Sequence, residues 1–160
     1  MMTLLTAAAR SPDHGKLEPW RFIVLEQTAL QRLAGIAESR ATDLGQQPEK
    51  VEKTRRQFAD ADLAVAVVYS PVESEKVPER EQIMSAGAVC LALLNAALAS
   101  GWGGNWLTSA MANDRAFLDQ GLGLAEHESV AGFIHIGTET MAPPERPRPD
   151  MAAKVSWVES

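Results

Sequence analysis

Residues 81–106, EQIMSAGAVCLALLNAALASGWGGNW, constrain the fold of this chain more than any other stretch. From Ala86 to Leu94 nothing is more polar than Cys90, and no proline interrupts the run. A helix that is apolar on every side belongs in an interior. The run is too short and too interrupted for a membrane span, which takes about 20 apolar residues. Asn95 breaks it, and Glu79, Arg80, Glu81 and Gln82 lead into it. Ala88, Ala92, Ala96 and Ser100 recur at i, i+4 and make a ridge of small side chains, on which another backbone can approach closely. Leu91, Leu94 and Leu98 make a bulkier side. The stretch predicts a central helix packed on two or more faces, one of them against a partner chain.

The remaining chain supplies what such a helix packs on. Met2 to Arg10 reads as the end of a helix with Leu4, Leu5 and Ala8 on one face. It begins without a cap, which suggests further chain upstream, and Pro12 stops it. Ser11 to Pro19 is a loop. Trp20 to Leu25 reads as a strand, then a helix capped by Thr28 runs to about Arg40 on Leu30, Leu33 and Ile36. Residues 42–48 form a polar break. Glu49 to Ala61 is a charged helix burying Val51 and Phe58, its charges a solvated face. LAVAVVY, residues 63–69, suits a strand buried on both sides. Ser70 to Pro78 reads as a flexible loop before the central helix. Asn105 to Leu107 predicts a short strand, Asp114 to Leu122 a short helix, and Val130 to Ile136 another buried strand. Residues 142–149 carry four prolines and are extended. Val155 to Val158 can add a strand to a sheet edge, a partner's included. Strands alternating with helices imply one domain, residues 1–160, with a sheet covered on both sides.

Charge and composition narrow the function. A formal net charge of -6, from 15 Lys+Arg against 21 Asp+Glu, argues against a nucleic-acid backbone as partner. Cys90 is the only cysteine, so no intrachain disulfide or cysteine metal cluster forms, and a reducing cytoplasm fits. The N-terminus lacks the basic region of a signal peptide. His14, His127 and His135 form no metal-binding spacing, and neither GxGxxG nor GxxxxGK[ST] is present.

Two places concentrate unusual residues. The loop of residues 10–20 gathers Arg10, His14 and Lys16, cationic donors suited to an anionic or carbonyl-rich ligand, or simply a structured loop whose His14 satisfies nearby backbone. The turn GWGGNWLTS brings glycines beside Trp102 and Trp106. Its readings are a surface for a planar ring or a helix C-cap with two core tryptophans. No Ser-His-Asp, Cys-His or paired-carboxylate set assembles by spacing. A hydrolase using His14 and Asp13 lacks a nucleophile. An enzyme of this kind leaves the hard chemistry to a bound cofactor.

AARSPDHGKLEPWRFIV resembles the N-terminal flavin loop of the FMN-dependent nitroreductases, MSAGAVCLALLNAALASGWGGNW their central helix and glycine turn, and AGFIHIGT their late core strand. PDH and VPEREQIMSAG are similar to a small bacterial subgroup of that family. The resemblance covers nearly the whole chain. It implies an α+β three-layer sandwich, a mixed sheet with helices on both faces around a buried central helix. It implies an obligate homodimer with one FMN in each of two interface clefts. Arg10 and His14 would contact FMN from the partner's side, with Lys16 beside them, and Trp106, Leu107 and Thr108 would line it from the glycine turn. NAD(P)H would reduce the flavin, which would pass electrons to a nitroaromatic, quinone or similar acceptor. A flavin-free dimeric binding protein on the same scaffold is the alternative. The sequence departs from the family in three ways. The Arg-Arg-Ser-type helix that holds the FMN phosphate is not matched, leaving Arg146 and Arg148 as candidates. Glu18 stands in place of the usual Gln, and Leu107 in place of a polar or basic residue.

Overall fold

Alternation within LAVAVVY sets the layers. The computed structural model describes residues 1–158, and in it these seven residues form strand β2 (Leu63–Tyr69), buried from Ala64 onward. Successive side chains of a strand point to opposite faces. Ala64, Ala66 and Val68 therefore enter one core, with Leu30, Leu33 and Phe58. Val65 and Val67 enter a second, with Leu4, Leu5, Val89, Cys90 and Leu93. The first core is roofed by α2 (Gln27–Asp43) and α3 (Pro48–Ala59), the second by α1 (Met2–Ala8) and α4 (Glu79–Ala99). These are the three layers expected.

The sheet has the order β1-β2-β4-β3, with β1 at Trp20–Glu26, β3 at Gly103–Leu107 and β4 at Ser129–Gly137. A mixed sheet was implied by the resemblance, but every pairing among the described residues is antiparallel. The connections explain this. Two helices separate β1 from β2, so the chain re-enters the sheet at the end it left and runs back. Residues 155–158, a candidate edge strand, pair with nothing in the sheet and leave Trp157 88% exposed.

Helix α4 is 21 residues long and holds an 18-residue window of mean hydropathy 1.7, so by length and composition alone it could cross a membrane, a test that a buried core helix also passes. One side is core: Val89, Cys90, Leu93 and Ala97 are fully buried. An outward arc carries Met84, Leu91 and Leu98, each about half exposed or more, and Ile83 is 51% exposed near the start of the helix. The small-residue ridge flanks the core: Ala92 and Ala96 are partly buried against the cluster that holds Leu4, Leu5 and Ala8 of α1, and Ser100 is exposed. The loop of residues 70–78 is tied down rather than free. The buried Gln82 side chain accepts from the Val72 N–H and donates to the Val72 carbonyl, both at 2.9 Å. Val77 is 4% exposed.

Thr28 does not cap α2, which starts a residue earlier after Glu26 and has no side-chain cap. Between β3 and β4 the short helix α5 (Arg115–Phe117) is capped instead by Asp114, which accepts from the Phe117 N–H at 2.7 Å while holding Arg40 in a two-point pair.

Candidate functional site

The loop after α1 is strained and anchored. Its single turn at His14–Lys16 places Gly15 at φ 76, Lys16 at φ 55 and Glu18 at φ 50. Side-chain-bearing residues rarely occupy this left-handed region, and they persist there only when the surroundings hold them. Three contacts do so. Asp13 Oδ2 accepts from the Glu18 N–H at 2.7 Å. Ser85 Oγ of α4 donates to the Pro12 carbonyl. His14 Nδ1 lies 2.6 Å from Glu81 Oε2, also on α4. Arg10, His14 and Lys16 are all exposed. Asp13 and His14 are thus committed to different partners, so the hydrolase arrangement has no geometry.

The glycine turn is first a helix terminus. Gly101, at φ 83, ends α4 with its N–H on the Leu98 carbonyl, while the Trp102 N–H reaches the Ala97 carbonyl. Gly104 lets β3 lie against α4, because a Cβ there would stand 2.7 Å from Leu94 Cδ1. Trp102 is 49% exposed. Trp106 packs on the second core with its indole over Gly132, and its Nε1 is buried without a partner. The helix-cap reading of this turn therefore describes its glycines, and one of its two tryptophans is core.

Trp106 and Leu107 are neighbours on a strand, so their side chains point to opposite faces. Leu107 looks toward α3. There it joins Thr108 and Ser109 in a groove of about 870 Å3, with Gln46 and Gln47 from the α2–α3 turn and Lys50, Lys53, Thr54 and Gln57 from α3. Gln57 Nε2 is buried and unpartnered. Lys50, Lys53, Thr54 and Gln57 follow i, i+3, i+4, i+7 spacing, so they share one helix face. In the sequence alone these charges read as a solvated face; their shared spacing becomes a signal only once the strand after the glycine turn is placed beside them.

The two sets of candidate residues are not brought together in one chain. The loop feeds β1, and Trp106–Leu107 end β3. These are the two edge strands, three ladder spacings or about 14 Å apart. Arg146 and Arg148 lie in the exposed tail, where Arg148 pairs with Glu145.

Beneath β1 the charges are structural. Arg21 Nε and Nη2 donate to the two carboxylate oxygens of Glu128 at 2.6 and 2.7 Å. The Arg21 guanidinium brings the Glu128 carboxyl down to about 2, against the opposing effect of burial. Burial pushes the Cys90 thiol up to about 12, so it is no nucleophile. No group of three or more metal-ligating side chains occurs among the described residues. The site thus offers an elongated groove with amide, hydroxyl and ammonium donors and one apolar wall, and a separate cationic loop.

The pattern of the Nitroreductase family matches residues 1–138. The chain belongs to that family. This nitroreductase-family chain is 33% identical over 138 residues to "Putative NAD(P)H nitroreductase YdjA" of Escherichia coli strain K12, an overlap of 86% of the chain and 75% of that protein. It is 34% identical over 137 residues to "Putative NAD(P)H nitroreductase" of Haemophilus influenzae, covering 84% of the chain and 73% of the relative. Among solved structures, a nitroreductase-like family protein from Bacillus cereus superimposes with a TM-score of 0.78 at 20% identity, over 99% of this chain and 83% of the other. A "putative nitroreductase in complex with fmn" from Desulfovibrio desulfuricans gives 0.72 at 21% identity, over 95% and 79%. At such identities these structures speak for the fold, which is the α+β nitroreductase sandwich.

Proposed function

We propose that this chain is an FMN-dependent oxidoreductase. NAD(P)H delivers electrons to the flavin, and a nitroaromatic, quinone or similar acceptor takes them. The observation that carries the reading is the groove beside Leu107 and Thr108. Its volume is in the range of small-molecule sites, and Gln57, one of its lining residues, has an Nε2 that is buried without a partner. An unpaired buried donor of this kind is costly unless a shift of the side chain, a water or a ligand supplies the acceptor.

The residues fit a flavin. Leu107 offers an apolar wall to the ring, while Gln57, Thr108 and Ser109 offer hydrogen bonds to its carbonyl edge. Lys50 and Lys53 supply positive charge at the groove. Trp106 contributes through the backbone of β3, since its indole faces the other side of the sheet. FMN, when bound, supplies two-electron chemistry that this chain's side chains cannot.

Arg10, His14 and Lys16 reach the same flavin only from a second copy of the chain, because in one copy they lie at the far edge of the sheet. The outward arc of α4 supports that homodimer: Met84 is 63% exposed and Leu91 and Leu98 are each 49%. Large apolar side chains on one exposed helix face mark an interaction surface. A reducing cytoplasm suits the single, buried thiol.

Titration of the purified chain with FMN tests the reading. Flavin fluorescence is expected to quench on binding, and NAD(P)H oxidation with a quinone acceptor to depend on added FMN. Gln57→Ala and Lys53→Ala are each expected to weaken binding. A preparation that quenches no flavin fluorescence and oxidises no NAD(P)H overturns it.

A further inference from the structure

We infer that Glu81, on the first turn of α4, is a positioning residue that sets which nitrogen of His14 faces the bound ligand. His14 Nδ1 stands 2.6 Å from Glu81 Oε2. An ionised carboxylate only accepts hydrogen bonds, so Nδ1 must carry the proton. When the ring is neutral it is thereby held as the Nδ1–H tautomer, with Nε2 left as a bare acceptor. The His14 side chain is 60% exposed and makes its one protein hydrogen bond among the described residues through Nδ1, which leaves Nε2 without a protein partner. That nitrogen accepts from a ligand N–H or O–H, such as the ring imide or a sugar-alcohol hydroxyl of a flavin; this step rests on the flavin reading given above.

The surroundings make the pairing specific. The loop that carries His14 cannot relax freely, because Lys16 and Glu18 hold positive φ. Its start is docked on α4 one turn beyond Glu81, through Ser85 Oγ and the Pro12 carbonyl. Glu81 therefore meets His14 at a fixed distance. An exposed pair contributes little to stability; Glu81 acts on the orientation and tautomer of His14 and leaves the fold alone.

Long-range proton–nitrogen NMR of the His14 imidazole in the full chain without flavin gives the first readout. The Nδ1–H signature is expected in the parent, with reversion to mainly Nε2–H in Glu81→Ala. An Nε2–H ring in the parent, or an Nδ1–H ring that survives Glu81→Ala, overturns the inference. The second readout is FMN affinity by fluorescence quenching. Glu81→Ala is expected to weaken it about tenfold with an unchanged unfolding midpoint, whereas Arg80→Ala leaves both as they were. Equal FMN affinity in the parent and Glu81→Ala overturns the link to the ligand. A parent chain that shows the expected tautomer yet binds no FMN overturns the flavin reading alone and upholds the control of His14 by Glu81. Should Glu81→Ala fail to fold, the tautomer of the parent ring still decides.

Discussion

Gly132 lies directly beneath the indole of Trp106: a Cβ built on Gly132 would stand 2.1 Å from Trp106 Nε1. The missing side chain on β4 makes room for the largest side chain on β3, and so fixes where β3 ends and where Leu107 and Thr108 begin to line the groove. Gly132→Ala forces the indole out or the strand away. Overpacking of this kind costs about 1–3 kcal/mol, which urea denaturation measures. FMN affinity should fall with it, because Leu107 and Thr108 move with the strand. Gly132→Ala combined with Trp106→Phe is expected to recover much of the lost stability, since the two residues are in contact and their effects do not add. A fully additive pair would show that the indole has room to move aside.

The Arg21–Glu128 pair makes a prediction about acid. Glu128 is nearly buried, its side chain 8% exposed, and it also accepts from the Ala125 N–H at 3.0 Å. Its carboxyl is held at about 2 in the folded chain, below an ordinary 4.5. A folded-state value below the unfolded one means that the unfolded chain binds the proton first as pH falls. The stabilisation is therefore whole above 4.5 and drains away as pH drops toward about 2. Glu128→Gln should cost about 2 kcal/mol at neutral pH and flatten the stability profile in that acid window. An unaltered acid profile in Glu128→Gln would assign the loss to other carboxylates.

Cys90 tests the burial of α4. With full burial and a thiol raised to about 12 by desolvation, it should resist alkylation in the native protein at mildly alkaline pH. Labelling is expected to follow global unfolding and to speed up with urea in step with loss of helix signal. Rapid labelling of the native chain would mean that α4 parts readily from the sheet.

The layers were legible in the sequence because they follow from periodicity. LAVAVVY alternates between two cores, and Leu30, Leu33 and Ile36 of one helix, like Val51 and Phe58 of the next, recur at helical spacing. What the sequence hid depends on placement in space. The i, i+3, i+4, i+7 face of α3 holding Lys50, Lys53, Thr54 and Gln57 looks like an ordinary solvated face until β3 is seen to end beside it. The glycines of the turn after α4 left two readings open, a surface for a ring or a helix cap, and in the fold Gly101 caps a helix while Gly104 admits Leu94. The small-residue ridge suggested a partner, and in the single chain Ala92 and Ala96 are partly buried against the core that also holds α1. A ridge of alanines reports that something comes close; it carries no information on whether that something belongs to the same chain.

The arc of α4 opposite its core makes the last prediction. Met84, Leu91 and Leu98 are spaced seven residues apart, the repeat that keeps one stripe of a helix facing a neighbour, and each is about half exposed or more. A two-fold partner would lay the same stripe against itself, so one substitution places two like charges in the seam. Leu91→Glu is accordingly expected to turn a dimer into a monomer in light scattering coupled to size exclusion. Because Leu91 is already 49% exposed in the single chain, the substitution should leave the fold intact by circular dichroism. FMN affinity should collapse in the same variant, since Arg10, His14 and Lys16 can reach the groove beside Thr108 only from the second copy. Loss of the dimer with flavin binding unchanged would place the whole site within one chain and remove the loop from it. A parent chain that is monomeric at every concentration would remove the seam itself.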